Sequence, residues 1–471
     1  MRLRSNEGGG SMAGWEAYLE AHKAQYLEEL IELLRIPSIS ALPEHAADVQ
    51  HAAEWVARRL TAAGLEHVRI MLTPGHPVLY ADHLHAPGKP TILIYGHFDV
   101  QPVDPVALWT SPPFEPAVRD GRVYARGASD NKGNVLAPIQ ALEALLRAEG
   151  ALPVNVKFLI EGQEEIGSPD VPDFLAVNRD LYACDLVLNA DTGQLGEEEP
   201  ALFLGARGLC AVQVDVRGPN QDLHSGTFGG AVANPIHALV RILDSLRDAQ
   251  GKVLVPGFYD RVRELTAEER QAIAAVPYHE SAITTRLDVE VLPGEAGYTP
   301  AERVWVRPTL ELNGIWGGFQ GEGAKTVLPS EAHAKITCRL VANQDPGEIV
   351  QLVIDHIQRQ PAPGVQVAAH EIPGQAIPYA IDADHWGNIA VAGVLERIYG
   401  KAPYHIRTGG SIPVCTLFGQ ILHAPTIGLG FGLDDENLHA PDEFWRLKSL
   451  ERSRMAYCMV LPVLAEQTSP A

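Results

Sequence analysis

Residues 91–102 read TILIYGHFDVQP, a short apolar run, a glycine, and then a histidine and an aspartate two positions apart. The run TILIYG (91–96) is β-branched and aromatic and too short for a helix, so it predicts a buried strand. NVKFLIEG (155–162) and CDLVLNAD (184–191) repeat the pattern, and the stretch from Asn134 to Ala148 between the first two has helical spacing. Strand, helix, strand and strand in this order predict an α/β domain whose central sheet is mostly parallel and flanked by helices.

Upstream, Tyr18, Leu19, Tyr26, Leu30, Leu33 and Leu34 predict a helix over 15–36, stopped by Pro37. A second helix covers 46–63 and ends at Gly64, a residue suited to a left-handed C-cap. The pattern changes after Gly205. CAVQVDVRG (210–218) and HAKITCRLV (333–341) alternate apolar and polar side chains, as half-exposed strands do. Helices are expected at 234–248, with Ile236, Leu239, Val240, Leu243 and Leu246 on one face, over the polar stretch 259–274, and at 346–358. Beyond 380 the chain returns to core-like segments: a helix at 385–398, the Gly-rich apolar 424–432 and a final helix at 443–458. The expected organisation is therefore a disordered N-terminus (1–14), a main α/β domain in two parts (15–207 and 381–471), and an α+β domain inserted between them (208–380).

The composition bounds the function. The 471 residues carry a net charge of −22, which argues against nucleic acid, whose phosphates need clustered Lys and Arg, and against a basic membrane-surface patch. No run reaches the ~20 apolar residues of a membrane span, and MRLRSNEGGGSMAG (1–14) lacks the apolar core of a signal peptide. Cys184, Cys210, Cys338, Cys415 and Cys458 are odd in number, widely spaced and set among apolar residues, so free buried thiols in a reducing cytoplasm are expected.

Chemistry-bearing residues follow the strands. His97 and Asp99 in GHFDVQP point the same way in an extended segment, so a carboxylate can fix the imidazole's second nitrogen. Asp130 lies in ARGASDNKG (125–133) ahead of a helix, where alone it would read as a helix cap. Glu164 and Glu165 in FLIEGQEEIGS (158–168) are adjacent carboxylates after an apolar strand, costly without a cation. Asp191 ends LVLNADTG, and His439 lies in the acidic loop GLDDENLHAPDE (432–443). His, Asp and Glu converging on strand ends, without cysteine, suit zinc, manganese or cobalt, and two such ions sharing one carboxylate can clamp a water against a carbonyl.

The strings GHFDVQP, GASDNKG, EGQEEIGS, ADTG and NLHAPDE, in this order, resemble the metal motifs of the carnosinase and bacterial dipeptidase branch of the dinuclear zinc exopeptidases, a family with aminoacylase and desuccinylase relatives. The resemblance implies two divalent ions per subunit, with Asp130 bridging, His97 and Asp191 completing one site, and Glu165 and His439 the other. It implies Glu164 as general base, Asp99 as the orienter of His97, and a cis peptide at Asp130–Asn131. It makes 15–207 and 381–471 the catalytic domain and 208–380 a lid and dimerisation domain. From DLHSG, GAKTVLP, CRLV and GGSIP it further implies that His224 reaches the partner's active site, with Thr326 in a second lid segment. Arg339, Ser411 and the flanking Gly410 amide would clamp a substrate carboxylate. The implied activity is hydrolysis of dipeptides or short peptides by a homodimer. The apolar face of helix 234–248 is a candidate interface. Alternatives are an N-acyl or N-succinyl amino acid deacylase, a non-catalytic binding protein on the same fold, and a dinuclear phosphoesterase. The last is disfavoured because no phosphate-cradling Gly-rich loop precedes a helix.

Overall fold

The computed structural model describes residues 14–278 and 280–466; apart from Gly14, which opens a helix, the expected disordered N-terminus lies outside the described residues. The chain divides into two compact units, one of residues up to 203 with 381–404 and from 417 onward, the other of 204–380 with 405–416. Residues 405–416 group with the second unit, although the sequence places them within 381–471. Arg207 ties them there, donating its Nε to the Gly409 carbonyl at 3.0 Å and its backbone amide to the Gly410 carbonyl at 3.1 Å.

In the first unit a six-stranded sheet runs in the order Glu66–Met71, Val78–His83, Asn155–Glu161, Thr91–His97, Leu186–Asn189, Thr426–Gly428. Only Val78–His83 opposes its neighbours, so the sheet is mostly parallel. Ile92, Leu93, Ile94, Phe158, Leu159 and Leu188 are fully buried. Both faces of these strands are covered, which is why they read as continuous apolar runs. Each such side chain contributes about 1.5–3 kcal/mol on leaving water. The helix Asn134–Glu149 is buried from Asn134 through Leu145, and packs against Leu447–Ala465 and Gly14–Ala21. Parallel register aligns the carboxyl ends: His97 lies opposite Glu161, and Tyr95 opposite Asn189. In open α/β sheets this edge is where ligands bind.

Several element boundaries differ from expectation. The helix expected at 15–36 is two, Gly14–Ala21 and Lys23–Leu34, interrupted at His22. The His22 Nδ1 bonds the Tyr18 carbonyl at 2.8 Å and its ring stacks on Tyr18, a local side-chain contact that competes with the helical ladder. Within 259–274 only the part from Ala267 is helical (Ala267–Ala275), because the Thr266–Glu269 capping box starts it there. Phe444–Arg446 pairs with Arg122–Tyr124 as a strand, so the final helix is Leu447–Ala465 rather than 443–458.

The second unit has a four-stranded antiparallel sheet in the order Thr309–Gly317, Glu331–Leu340, Gly208–Arg217, Gln366–Ala376. Val212, Val214, Val216, Ala334 and Ile336 form its apolar face. Helices Pro235–Asp244 and Pro346–Arg359 cover that face. Here one expectation fails. Leu239, Ile242, Leu243 and Leu246 are buried in this core and Ile236 packs against it, so most of the apolar face of the 234–248 helix is spent inside its own unit, and Val240 is the residue of that stripe left exposed. Among the described residues no helix is long and apolar enough to cross a membrane, and the five cysteines are free, four of them buried.

Candidate metal centre

Seven of the predicted site residues meet at the carboxyl edge of the parallel strands. His97 ends its strand and is fully buried. Its Nδ1 faces Asp99, 3.2 Å from the backbone carbonyl and 3.3 Å from Oδ1, which leaves Nε2 free to point at Asp130 Oδ1, 3.1 Å away, with Asp191 Oδ2 at 3.8 Å. Gly96 makes room for this approach, since a Cβ there would stand 2.9 Å from the Val135 methyl and 3.0 Å from Asn131 Oδ1.

Asp99 is fully buried and does a second job. Its Oδ1 and Oδ2 accept the backbone amides of Glu164 (3.2 Å) and Glu165 (3.1 Å). Asp99 thus holds the His97 ring through its carbonyl and carboxylate, and through that carboxylate the turn that carries the two glutamates. Asp130 lies between two imidazoles: Oδ1 meets His97 Nε2, and Oδ2 meets His439 Nε2 at 2.9 Å. The peptide from Asp130 to Asn131 is cis, as the resemblance implies. His439 projects from a loop at φ 61° and also approaches Glu165 Oε2 at 3.2 Å.

Two donor groups result, His97–Asp130–Asp191 and Asp130–Glu165–His439, each with ligand atoms mutually within 4.8 Å and with Asp130 common to both. A third group among the described residues, Glu66–His67–Asp82, lies on the outer strands with Glu66 and His67 exposed.

The electrostatics are those of a buried carboxylate cluster that favours positive charge at its centre. Burial pushes the Glu164 pKa up to about 9, with Asp191, Glu165 and Asp130 adding to the rise against the pull of His97. Burial also raises Glu165, whose Oε1 is buried with no hydrogen-bond partner. The His439 pKa rises to about 10 through its bonds to Asp130 and Glu165. Asp130 is held well below the usual carboxylate range, its two histidine hydrogen bonds outweighing the burial that opposes them. An orphaned carboxylate oxygen and imidazoles wedged between carboxylates fit cations in both groups.

The sequence reading missed the residues that hold these donors. Asn131 Nδ2 donates to Asp191 Oδ1 at 2.8 Å, and Gln101 Nε2 to Glu165 Oε2 at 2.9 Å. Both sit inside the quoted motifs, Gln101 in GHFDVQP and Asn131 in GASDNKG. Glu443 is the last residue of the acidic loop motif 432–443. Its buried carboxylate accepts the amides of Gly127 (3.0 Å), Ser129 (3.0 Å) and Asp130 (3.1 Å) and the Arg126 guanidinium (2.7 Å). Glu436 accepts the Ser129 hydroxyl at 2.6 Å and Arg446 Nη1 at 2.9 Å. No local spacing announces these contacts.

The other predicted residues belong to the second unit. His224 lies in the short ladder Leu223–His224 with Val327–Leu328, exposed, its Nδ1 accepting the Gly226 amide at 3.1 Å. Thr326 is beside it, its carbonyl accepting the Ser225 amide at 3.0 Å. Arg339 Nη1 donates to Ser411 Oγ at 3.1 Å, and the Gly410 amide donates to Thr408 Oγ1 at 3.1 Å.

Residues 93–461 match the pattern of Peptidase family M20/M25/M40. The chain is 32% identical over 463 residues to the Cys-Gly metallodipeptidase dug1 of Schizosaccharomyces pombe, covering 95% of this chain and 97% of that one. It is 30% identical over 444 residues to the human Beta-Ala-His dipeptidase, covering 90% and 87%. The crystal structure of an M20 family metallo-carboxypeptidase, Sso-CP2 from Sulfolobus solfataricus, superposes with a TM-score of 0.79 at 34% identity, covering 93% of this chain and 99% of that one.

Proposed function

The chain belongs to peptidase family M20/M25/M40, and on that premise we propose that it hydrolyses the amide bond of dipeptides or short peptides bearing a free C-terminal carboxylate, using two divalent metal ions. The observation that carries this reading is Asp130, whose two oxygens each meet a different imidazole and so join two donor groups through one carboxylate. His97 and Asp191 would hold one ion with Asp130, and Glu165 and His439 the other. The donor set, nitrogen and oxygen without sulfur, suits zinc first and manganese or cobalt next. When bound, such ions make a water nucleophilic near neutral pH and polarise a scissile carbonyl.

Glu164 stands among the donors, and its carboxylate accepts no hydrogen bond from the described residues. It takes the proton of the attacking water and returns it to the leaving amine. Asp99 keeps the Glu164–Glu165 turn in register with His97. In the second unit Arg339, Ser411 and Gly410 hold the substrate's C-terminal carboxylate, a task suited to a planar guanidinium. His224, with Thr326, serves the partner's active site in a homodimer joined through the lid domain, where it stabilises the oxyanion. Similarity over most of their length to a Cys-Gly and a Beta-Ala-His dipeptidase favours dipeptides over N-acyl amino acids. Free thiols favour the reducing cytoplasm.

The test is Glu164→Ala assayed on dipeptides with free and blocked termini and on N-acetyl and N-succinyl amino acids, with zinc, manganese or cobalt. Wild-type turnover of free dipeptides with loss in the variant is expected. Undiminished activity in Glu164→Ala would remove the assignment.

A further inference from the structure

The second unit holds a cavity of about 420 Å³ whose wall includes Arg207, Arg247, Arg303, Arg307 and Arg339 with only Glu295 and Glu311 among them. In a chain of net charge −22 this is a local reversal of sign. Two of the five guanidinium groups are neutralised. Arg307 meets Glu295 through Nη2 (2.7 Å) and Nε (2.9 Å), and Arg247 meets Glu311 at 3.1 Å. The other three have no carboxylate partner among the described residues. Arg303 spends Nε and Nη1 on the carbonyls of Glu295 and Leu292. Arg207 spends Nε and Nη1 on the carbonyls of Gly409 and Arg307. Among the described residues Arg339 has only the Ser411 hydroxyl.

Half-buried cations gathered without counter-charge are costly in a low-dielectric wall, and an anion entering the cavity relieves that cost. Arg207 and Arg339 are close enough to repel: burial, and then Arg339, bring the Arg207 pKa down to about 10. Among the described residues Arg207 Nη2 donates no hydrogen bond, and Gly409 lies beside it. A Cβ at Gly409 would stand 3.1 Å from Nη2. The volume exceeds the ~30 Å³ share of one water many times over, so a side chain fits.

We propose that this cavity receives a second substrate carboxylate, so that the enzyme prefers peptides ending in aspartate or glutamate. Arg339 with Ser411 takes the α-carboxylate, Arg207 on the same cavity wall takes the side-chain carboxylate, and Arg303 completes the positive wall. The assignment rests on the reading that Arg339 and Ser411 hold the substrate's C-terminus.

The experiment compares kcat/KM of the metal-loaded full chain for Ala-Glu against Ala-Gln and Ala-Asp against Ala-Asn, in wild type, Arg207→Gln and Arg207→Lys. A hydrogen-bonded charge pair predicts an acid-to-amide ratio of about 10–100 in wild type. The ratio should fall to within about threefold of unity in Arg207→Gln and lie between the two in Arg207→Lys, which keeps the charge and loses the fork. A wild-type ratio near one, or a ratio untouched by Arg207→Gln in a folded protein, overturns the inference while leaving the peptidase reading intact. If no peptide is hydrolysed, that reading fails, and calorimetric binding of L-glutamate against L-glutamine decides this one. Tighter glutamate binding that Arg207→Gln abolishes supports it, and equal binding overturns it.

Discussion

Replacing Glu443 by glutamine tests how the metal centre is held, because the change keeps shape and removes only charge and half of the accepting capacity. Glu443 Oε1 accepts Ser129 N and Asp130 N, and Oε2 accepts Gly127 N and Arg126 Nη1. A glutamine in either orientation keeps one accepting oxygen and turns an NH₂ toward two N–H donors, so two bonds are lost and donors are set against donors. Arg126 and Glu443 are each about 1% exposed, so the variant also leaves a buried guanidinium without its counter-charge. Breaking a buried pair from one side costs about 3–5 kcal/mol, which includes much of the hydrogen-bond loss. Against a typical stability of about 5–15 kcal/mol, the metal-free variant should melt well below wild type. The affected amides include that of Asp130 itself, so metal affinity should also fall, by about 10–100-fold for such a supporting contact. Urea or thermal melts of metal-free protein, with chelator competition for zinc affinity, read the two effects separately. Wild-type stability together with wild-type affinity in Glu443→Gln would refute the view that this carboxylate positions the bridging residue.

Other outcomes follow from the same geometry. Glu164→Gln should keep its metal content and melting behaviour yet lose about 10²–10⁴-fold in kcat, as removal of a general base does; loss of metal along with activity would make it a ligand instead. In metal-free protein His439 titrates near pH 10, so its bonds to Asp130 and Glu165 stabilise the fold fully below about pH 6.5, and that contribution is lost as pH rises through 10. Cation binding must expel that proton, so metal affinity should rise with pH from 7 to 10; calorimetry in buffers of different ionisation enthalpy would show no proton release if the idea is wrong. If His224 acts across a dimer, mixing inactive His224→Ala and Glu164→Gln subunits should restore about a quarter of wild-type activity, since half the dimers are mixed and each mixed dimer has one intact site. No recovery after verified subunit exchange would place His224 in its own subunit's site.

Much of the fold could be read from the chain because its central strands are covered on both faces. TILIYG, NVKFLIEG and LVLN each carry a run of three or four adjacent apolar residues, and the second unit's strands around Val212 and Ile336 alternate. Outer strands such as Glu66–Met71 and Gln366–Ala376 bury little, so no apolar period betrays them. The helix over 234–248 is a subtler case. Its apolar stripe was visible, but an apolar stripe says only that something covers it, and here the unit's own sheet does.

The sequence by itself determined the chemistry: which residues could ligate a cation, that they follow apolar strands, and that sulfur is not among them. Those properties are local, set by residue type and by the few neighbours that make a strand. Tertiary structure alone decided how the donors are shared and held. Asp130 lies between His97 and His439 because a turn and a distant loop converge there. Glu443 reaches the Asp130 amide across 313 positions of chain, and Arg207 the 409–411 loop across about 200. Contacts of that span are fixed by how whole elements pack, and a one-dimensional pattern carries no record of them.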